Sequence, residues 1–164
     1  MNTKNKFKHQ YMLAVTFLIY LLALSFLILF KGSITEVRIF IELVLTNQSL
    51  PTRNHNGQIF ESITFFIDNW EYSWARLNIY INILAFVPMG FLVSMNKKKE
   101  AVILYSFQWG FWISLLLEYL QFYYNIGEFD IDDILLNTFG AVLGAVVFLM
   151  MKKCILRYLW KIRE

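Results

Sequence analysis

The sequence predicts an all-α integral membrane protein with four transmembrane helices. Three observations predict it. Hydrophobic residues (AVILMFWYC) make up 58% of the 164 residues, whereas ordinary soluble domains reach about 45–50% even with glycine counted. Charged residues are 16%, against roughly 25% in soluble chains. The apolar residues also gather into four stretches near the length a bilayer demands, about 20 residues each, the first two without a charge. The composition excludes a disordered chain, a disulfide scaffold and a typical soluble enzyme. The length suits a single domain spanning 1–164. A net charge of +3 is too small for a nucleic-acid partner. The single cysteine, Cys154, forms no intrachain disulfide and reads as an ordinary residue beside Lys152 and Lys153.

The first span runs over 11–30, Tyr11 to Phe30, without a charge. Its lysine-rich start resembles a signal peptide, but the apolar run outlasts an h-region of about 7–15 residues, so an uncleaved anchor is expected. The second span covers 78–95, Asn78 to Met95, also without a charge. Pro88 removes a backbone donor and clashes with the preceding turn, which predicts a kink that Gly90 eases. The third span is 101–121, in an apolar stretch that runs from Ala101 to Tyr124 with Glu118 near its end. The fourth is 131–151, apolar after Asp132 and Asp133.

Orientation follows from the basic residues, which favour cytoplasmic loops. Eleven of the 15 lie in 4–8, 97–99 and 152–163. Both termini are therefore expected in the cytoplasm, in a multi-pass protein of the cell membrane. That leaves 31–77 as a long outer segment. Within it Ile59, Ile63, Phe66, Trp70 and Trp74 recur every three or four residues, with Glu61, Asp68 and Glu71 between them. This spacing predicts a helix lying in the outer interface. Ile34 to Leu45 repeats the pattern less clearly, and Thr46 to Gly57, with a glycosylation-type Asn47-Gln48-Ser49 and His55, reads as a polar loop.

Polar groups inside membrane spans are costly, and their default reading is functional. They form three clusters: Asn78 and Asn82; Glu118 and Gln121; Asp130, Asp132, Asp133 and Asn137. At ~100° per residue, Asp130, Asp133, Asn137, Gly140 and Gly144 share one face about 80° wide, and Asp132 falls clearly off it. Gly140-Ala141-Val142-Leu143-Gly144 is a GxxxG pattern, which lets another helix approach closely. The carboxylate face should therefore point at protein, and Asp132 at water or headgroups.

Depth places the groups together. Asn137 lies ~10 Å below Asp130, and Glu118 ~25 Å from the cytoplasmic end of its span, so all lie in the outer half of the bilayer. Structural roles compete with functional ones. Asp130 suits an N-cap, and Asp133 suits the first-turn dipole. Against purely structural roles stand three carboxylates, Glu118, Asp130 and Asp133, with no Lys or Arg in their spans close by. Arg76 is the nearest candidate partner. Such a set shares protons, binds a cation or receives a basic or amide-rich ligand.

These residues resemble a known family. Asn82-Ile83-Leu84-Ala85-Phe86-Val87-Pro88-Met89-Gly90 is similar to the N-x-x-x-F-x-P-x-G segment of VanZ-like proteins. Glu118-Tyr119-Leu120-Gln121 resembles their E-x-x-Q. Asp130-Ile131-Asp132-Asp133, Asn137-Thr138, Gly140 and Gly144 resemble their D-I-x-D-x-x-x-N-T-x-G-x-x-x-G. The match covers about Leu77 to Gly144 and agrees in size and number of spans. It departs at Gly127-Glu128-Phe129, where many members carry an Arg. The resemblance implies a bacterial envelope protein linked to resistance against the glycopeptide teicoplanin, whose acyl chain lets it partition to the outer membrane surface. It implies no reaction.

Three functions are therefore expected to compete. In the first, Asn82, Glu118, Gln121, Asp130, Asp133 and Asn137 line an outward polar pocket that binds a membrane lipid, a lipid-linked envelope precursor or a peptide, without chemistry, metal or cofactor. In the second, Glu118 and Asp133 act as acid and base in an intramembrane enzyme for a lipid headgroup. In the third, Gly140 and Gly144 join the chain to a second copy or to another membrane protein.

Overall fold

The structure is a computed structural model that describes residues 3–29, 59–95, 101–124 and 129–161. The expectations for Ile34–Leu45, for the polar loop with Asn47-Gln48-Ser49 and His55, and for the Lys97–Lys99 loop lie outside those residues. Among the described residues the chain is entirely helical: α1 (Thr3–Leu29), α2 (Glu61–Asp68), α3 (Ser73–Ser94), α4 (Val102–Tyr123) and α5 (Ile131–Lys161). Helices satisfy every interior backbone donor and acceptor within the segment, which a bilayer requires. α1, α3 and α5 each contain a stretch long and apolar enough to cross a membrane: Tyr11–Ile28, Ser73–Ser94 and Ile131–Cys154. α4 has the length, 22 residues, but carries Ser106, Ser114, Glu118 and Gln121, all turned into the protein.

Cross-helix contacts fix the directions. Asn82, Ile83 and Val87 of α3 meet Asp133, Gly140 and Gly144 of α5 in ascending order, so these helices run parallel. Glu118, Ser114 and Gly110 of α4 meet Asp130, Asn137 and Ala141 in descending order, so α4 runs antiparallel to both. α5 is the central helix and packs most extensively on α3, then on α4. α1 lies more loosely outside. Its Leu24 and Ile28 join Phe86, Met89, Leu117 and Ala141 in the main apolar core, and the Tyr20 hydroxyl donates to the Ala85 carbonyl.

The close approach of α3 and α5 depends on glycine. A Cβ at Gly90 would lie 1.7 Å from the Ala141 carbonyl oxygen, at Gly140 2.1 Å from that of Ile83, and at Gly144 2.0 Å from that of Val87. Backbone sits directly on backbone, the arrangement that small residues permit between membrane helices. The face of Gly140 and Gly144, which one reading gave to a second protein, packs on α3 within the chain, and Gly90 lies in the same contact. α3 runs as one helix through Pro88.

The element boundaries differ from expectation in two informative places. α5 runs on to Lys161, ten residues beyond the apolar span, because its polar end continues the helix outside the bilayer length. The expected interfacial helix through Ile59 and Trp74 is broken. α2 ends at Asp68, Asn69–Tyr72 turn, and Trp74 already belongs to α3. The turn brings Trp74 back onto Phe65 and Phe66, with ring centroids 5.8 and 6.3 Å apart, while Tyr72 stacks on Trp74 at 5.7 Å. Phe66, Trp74 and Ala75 form a second small core. Aromatic spacing alone does not distinguish one helix from two that fold against each other.

Candidate functional site

The directions of the helices bring the C-terminal ends of α1 and α4 and the N-terminal ends of α3 and α5 to one end of the bundle. α2 packs against α3 and α5 at that same end. The polar residues singled out in the sequence converge here, from α3, α4 and α5. Glu118 is 1% exposed, Asp133 7%, and Asn82 and Asn137 0%. These four side chains therefore lie inside the protein, and Asp130 is half-buried.

Four hydrogen bonds lie in and around the cluster. The Asn82 amide on α3 donates to Asp133 Oδ1 on α5. The Asp130 backbone N–H donates to Glu118 Oε2 at 3.1 Å, tying the start of α5 to α4. Asp130 Oδ1 accepts the Asp132 N–H at 2.9 Å, which makes Asp130 the N-cap of α5, and Asp130 also accepts the Ser62 hydroxyl of α2.

Asn137 and Gln121 stand apart from that chain of bonds. Asn137 Nδ2 donates to Ser114 Oγ at 2.8 Å, one turn deeper than Glu118. Its Oδ1 and the Thr138 hydroxyl have no hydrogen-bond partner among the described residues, although both atoms are buried. Gln121 Nε2 donates to the Ile28 carbonyl at 3.0 Å and so fastens α1 to α4. Arg76, the candidate counter-charge, turns away: its Nη1 donates to the Trp70 and Glu71 carbonyls at 2.6 and 2.9 Å.

Asp132 corrects the sequence reading most clearly. It does lie off the Asn137 face, but it meets neither water nor headgroups. It is 1% exposed, and its carboxylate accepts the backbone N–H groups of Phe60 (2.7 Å), Ser62 (2.8 Å) and Ile63 (3.2 Å). Those donors are the unsatisfied amides at the start of α2, where the helix dipole also favours an anion. Phe60 adopts a left-handed conformation (φ 70°) to aim its N–H at the carboxylate. A non-glycine residue there costs about 1–3 kcal/mol, which the surrounding bonds must offset.

The sequence reading missed Ser62, Ser94, Ser106 and Ser114 and took Thr138 only as part of the family motif; all five are buried. A signal for two of them, Ser106 and Ser114, existed. Val102, Ser106, Gly110, Ser114 and Glu118 recur every four residues along one face of α4. Small residues at that interval mark a helix interface, and Gly110 does pack on Thr138 and Ala141 of α5. Ser94 and Ser106 converge on the Gly90 carbonyl at the opposite end of the bundle, at 2.6 and 3.3 Å. Among the described residues no three His, Cys, Asp or Glu side chains are grouped to hold a metal ion.

Comparison with known proteins bears on the same residues. A profile of the VanZ/LLP1 family matches residues 17–152. Protein VanZ of Enterococcus faecium is 37% identical over 67 residues, which are 41% of this chain and 41% of that protein. The alignment thus spans less than half of this curated relative. No solved structure matches.

Proposed function

The chain belongs to the VanZ/LLP1 family, and from that premise we propose that it is a glycopeptide-resistance membrane protein whose carboxylate–amide cluster binds a ligand. The observation that carries the reading is the convergence of buried Asn82, Glu118 and Asp133, from three helices, with half-buried Asp130 at one end of the bundle, in the bonded pairs Asn82–Asp133 and Asp130–Glu118. Buried polar groups in a membrane span are expensive to maintain, and packing alone is served better by apolar residues. The family's relative supplies the physiological setting, and the chemistry of the cluster supplies the class of ligand. Carboxylates and amide oxygens accept hydrogen bonds, so they select amide-rich or cationic groups, as in a peptide or a lipid-linked envelope precursor. Binding without chemistry is sufficient for this role.

In this reading α4 is a fourth span, since its polar side chains face the bundle and its outer surface is rich in exposed aromatics such as Trp109, Trp112 and Tyr119. Both termini then lie inside and the cluster in the outer leaflet, a reading that the basic-residue distribution supports. A lipid-anchored glycopeptide and its precursor target meet at that surface.

The test is expression in a susceptible Gram-positive strain. The chain should raise the inhibitory concentration of teicoplanin several-fold over empty vector and leave that of vancomycin within twofold. Cys154 should react with a membrane-impermeant maleimide only after the cells are permeabilised. Unchanged teicoplanin susceptibility at verified membrane expression contradicts the resistance role, and labelling of Cys154 in intact cells contradicts the topology.

A further inference from the structure

Asn82, Glu118 and Asp133 are buried, so a ligand needs a way in, and α2 is bonded to Asp130 and Asp132 at that end of the bundle. This inference rests on the reading that the cluster binds a ligand. α2 is held at its two ends by different chemistry. Its C-terminal end joins α3 through the tight Asn69–Tyr72 turn and packs by Phe65 and Phe66 on Trp74. Arg76 reinforces that end by bonding the Trp70 and Glu71 carbonyls. The N-terminal end is tied to α5 by hydrogen bonds instead. Asp132 accepts three backbone N–H groups, and Asp130 accepts the Ser62 hydroxyl.

The two attachments respond differently to water. Apolar packing on Trp74 is strengthened by surrounding water, whereas the hydrogen bonds at the start of α2 are replaced by bonds to solvent once that end opens. The strained Phe60 backbone also relaxes once its N–H is released. Asp130 continues directly from Ser62 to Glu118, so loosening the start of α2 loosens the first bond of the buried cluster as well.

We propose that α2 is a hinged lid over the carboxylate–amide cluster, latched by Asp132 and Asp130 and turning about Asn69–Tyr72. Closed, it seals Asn82, Glu118 and Asp133 from the outer surface. Released, it admits ligand to them.

Solvent access to Asn78 tests this. Asn78 is 6% exposed, lies one turn from Asn82 toward the α2 end, and its amide bonds only within its own helix, to Trp74 at 3.3 Å, among the bonds described. In a Cys154→Ser background, Asn78→Cys provides one thiol, read by an impermeant methanethiosulfonate reagent on protein in lipid nanodiscs. Asp132→Ala should speed labelling at least tenfold over the latched parent, Asp132→Asn by less, and Ser62→Ala by roughly twofold to fivefold. Equal rates in the parent and in a folded Asp132→Ala protein overturn the lid. If Asp132→Ala does not fold, equal rates in the parent, Asp132→Asn and Ser62→Ala overturn it. No glycopeptide enters this assay, so an immobile α2 refutes the latch and leaves ligand binding to be judged by the resistance phenotype.

Discussion

Replacing Gly90 or Gly140 by alanine should unfold the bundle or separate α3 from α5. The added methyl has no place to go. It would stand 1.7 Å from the Ala141 carbonyl oxygen in one case and 2.1 Å from that of Ile83 in the other, and both obstacles are backbone. Relief requires the helices to move apart along their whole shared face, losing contacts at Phe86, Met89 and Ala141 as well. Overpacking a tight core typically costs 1–3 kcal/mol, and a clash of backbone with backbone lies at or above the top of that range, at ~3 kcal/mol or more. Gly110→Ala is the internal control. Its methyl meets the Ala141 side chain at 2.7 Å and the Thr138 Cα at 3.2 Å, so a small shift of α4 against α5 suffices, at a cost of about 1 kcal/mol. Thermal stability of detergent-solubilised protein, followed by size-exclusion chromatography, should rank wild type above Gly110→Ala and both well above Gly90→Ala and Gly140→Ala. A wild-type midpoint for Gly90→Ala contradicts the packing described.

The second large effect is expected at the Asn82–Asp133 contact. Neither residue is more than 7% exposed, and the amide donates to a carboxylate oxygen. Hydrogen bonds to charged groups contribute about 1.5–3 kcal/mol, and removing a donor from a buried acceptor costs more than removing both. Asn82→Leu should therefore lower stability by about 2–3 kcal/mol. Asp133→Leu in the same protein should restore part of it, giving a coupling energy of about 1–2 kcal/mol in a double-mutant cycle measured by reversible unfolding in mixed micelles. Additive effects of the two substitutions contradict a direct bond between α3 and α5 at this level.

Most of the architecture was legible because a bilayer leaves so few options. Apolar length announced the long helices, and the glycine pattern with its 3.6-residue period correctly put Asp130, Asp133 and Asn137 on the side of α5 that faces protein. Depth arithmetic brought Asn82 and Glu118 to the same end as Asp133. Three features escaped, two because they depend on residues far apart in sequence and one because a turn preserved a helical interval. Asp132 pointed away from the shared face, as its angle required, but the partner waiting there is α2, 70 residues earlier in the chain. Gly140 and Gly144 advertised a close helix contact without saying whose, and the answer is α3. The break at Asn69–Tyr72 was hidden because Phe66 and Trp74 keep a helical interval while actually packing across a turn.

The central claim is that the buried carboxylates at the α2 end serve the function rather than the fold. Glu118→Gln, Asp130→Asn and Asp133→Asn test it most directly, since each keeps shape and hydrogen-bonding capacity while removing the carboxylate. Teicoplanin inhibitory concentrations would be compared in one susceptible strain carrying empty vector, wild type or each variant, with membrane levels matched by blot. The account predicts that Glu118→Gln and Asp133→Asn fall to the empty-vector value while remaining folded and membrane-inserted, and that Asp130→Asn falls at least partway. Full wild-type protection from all three variants, at equal levels, would contradict it and return the cluster to a structural role.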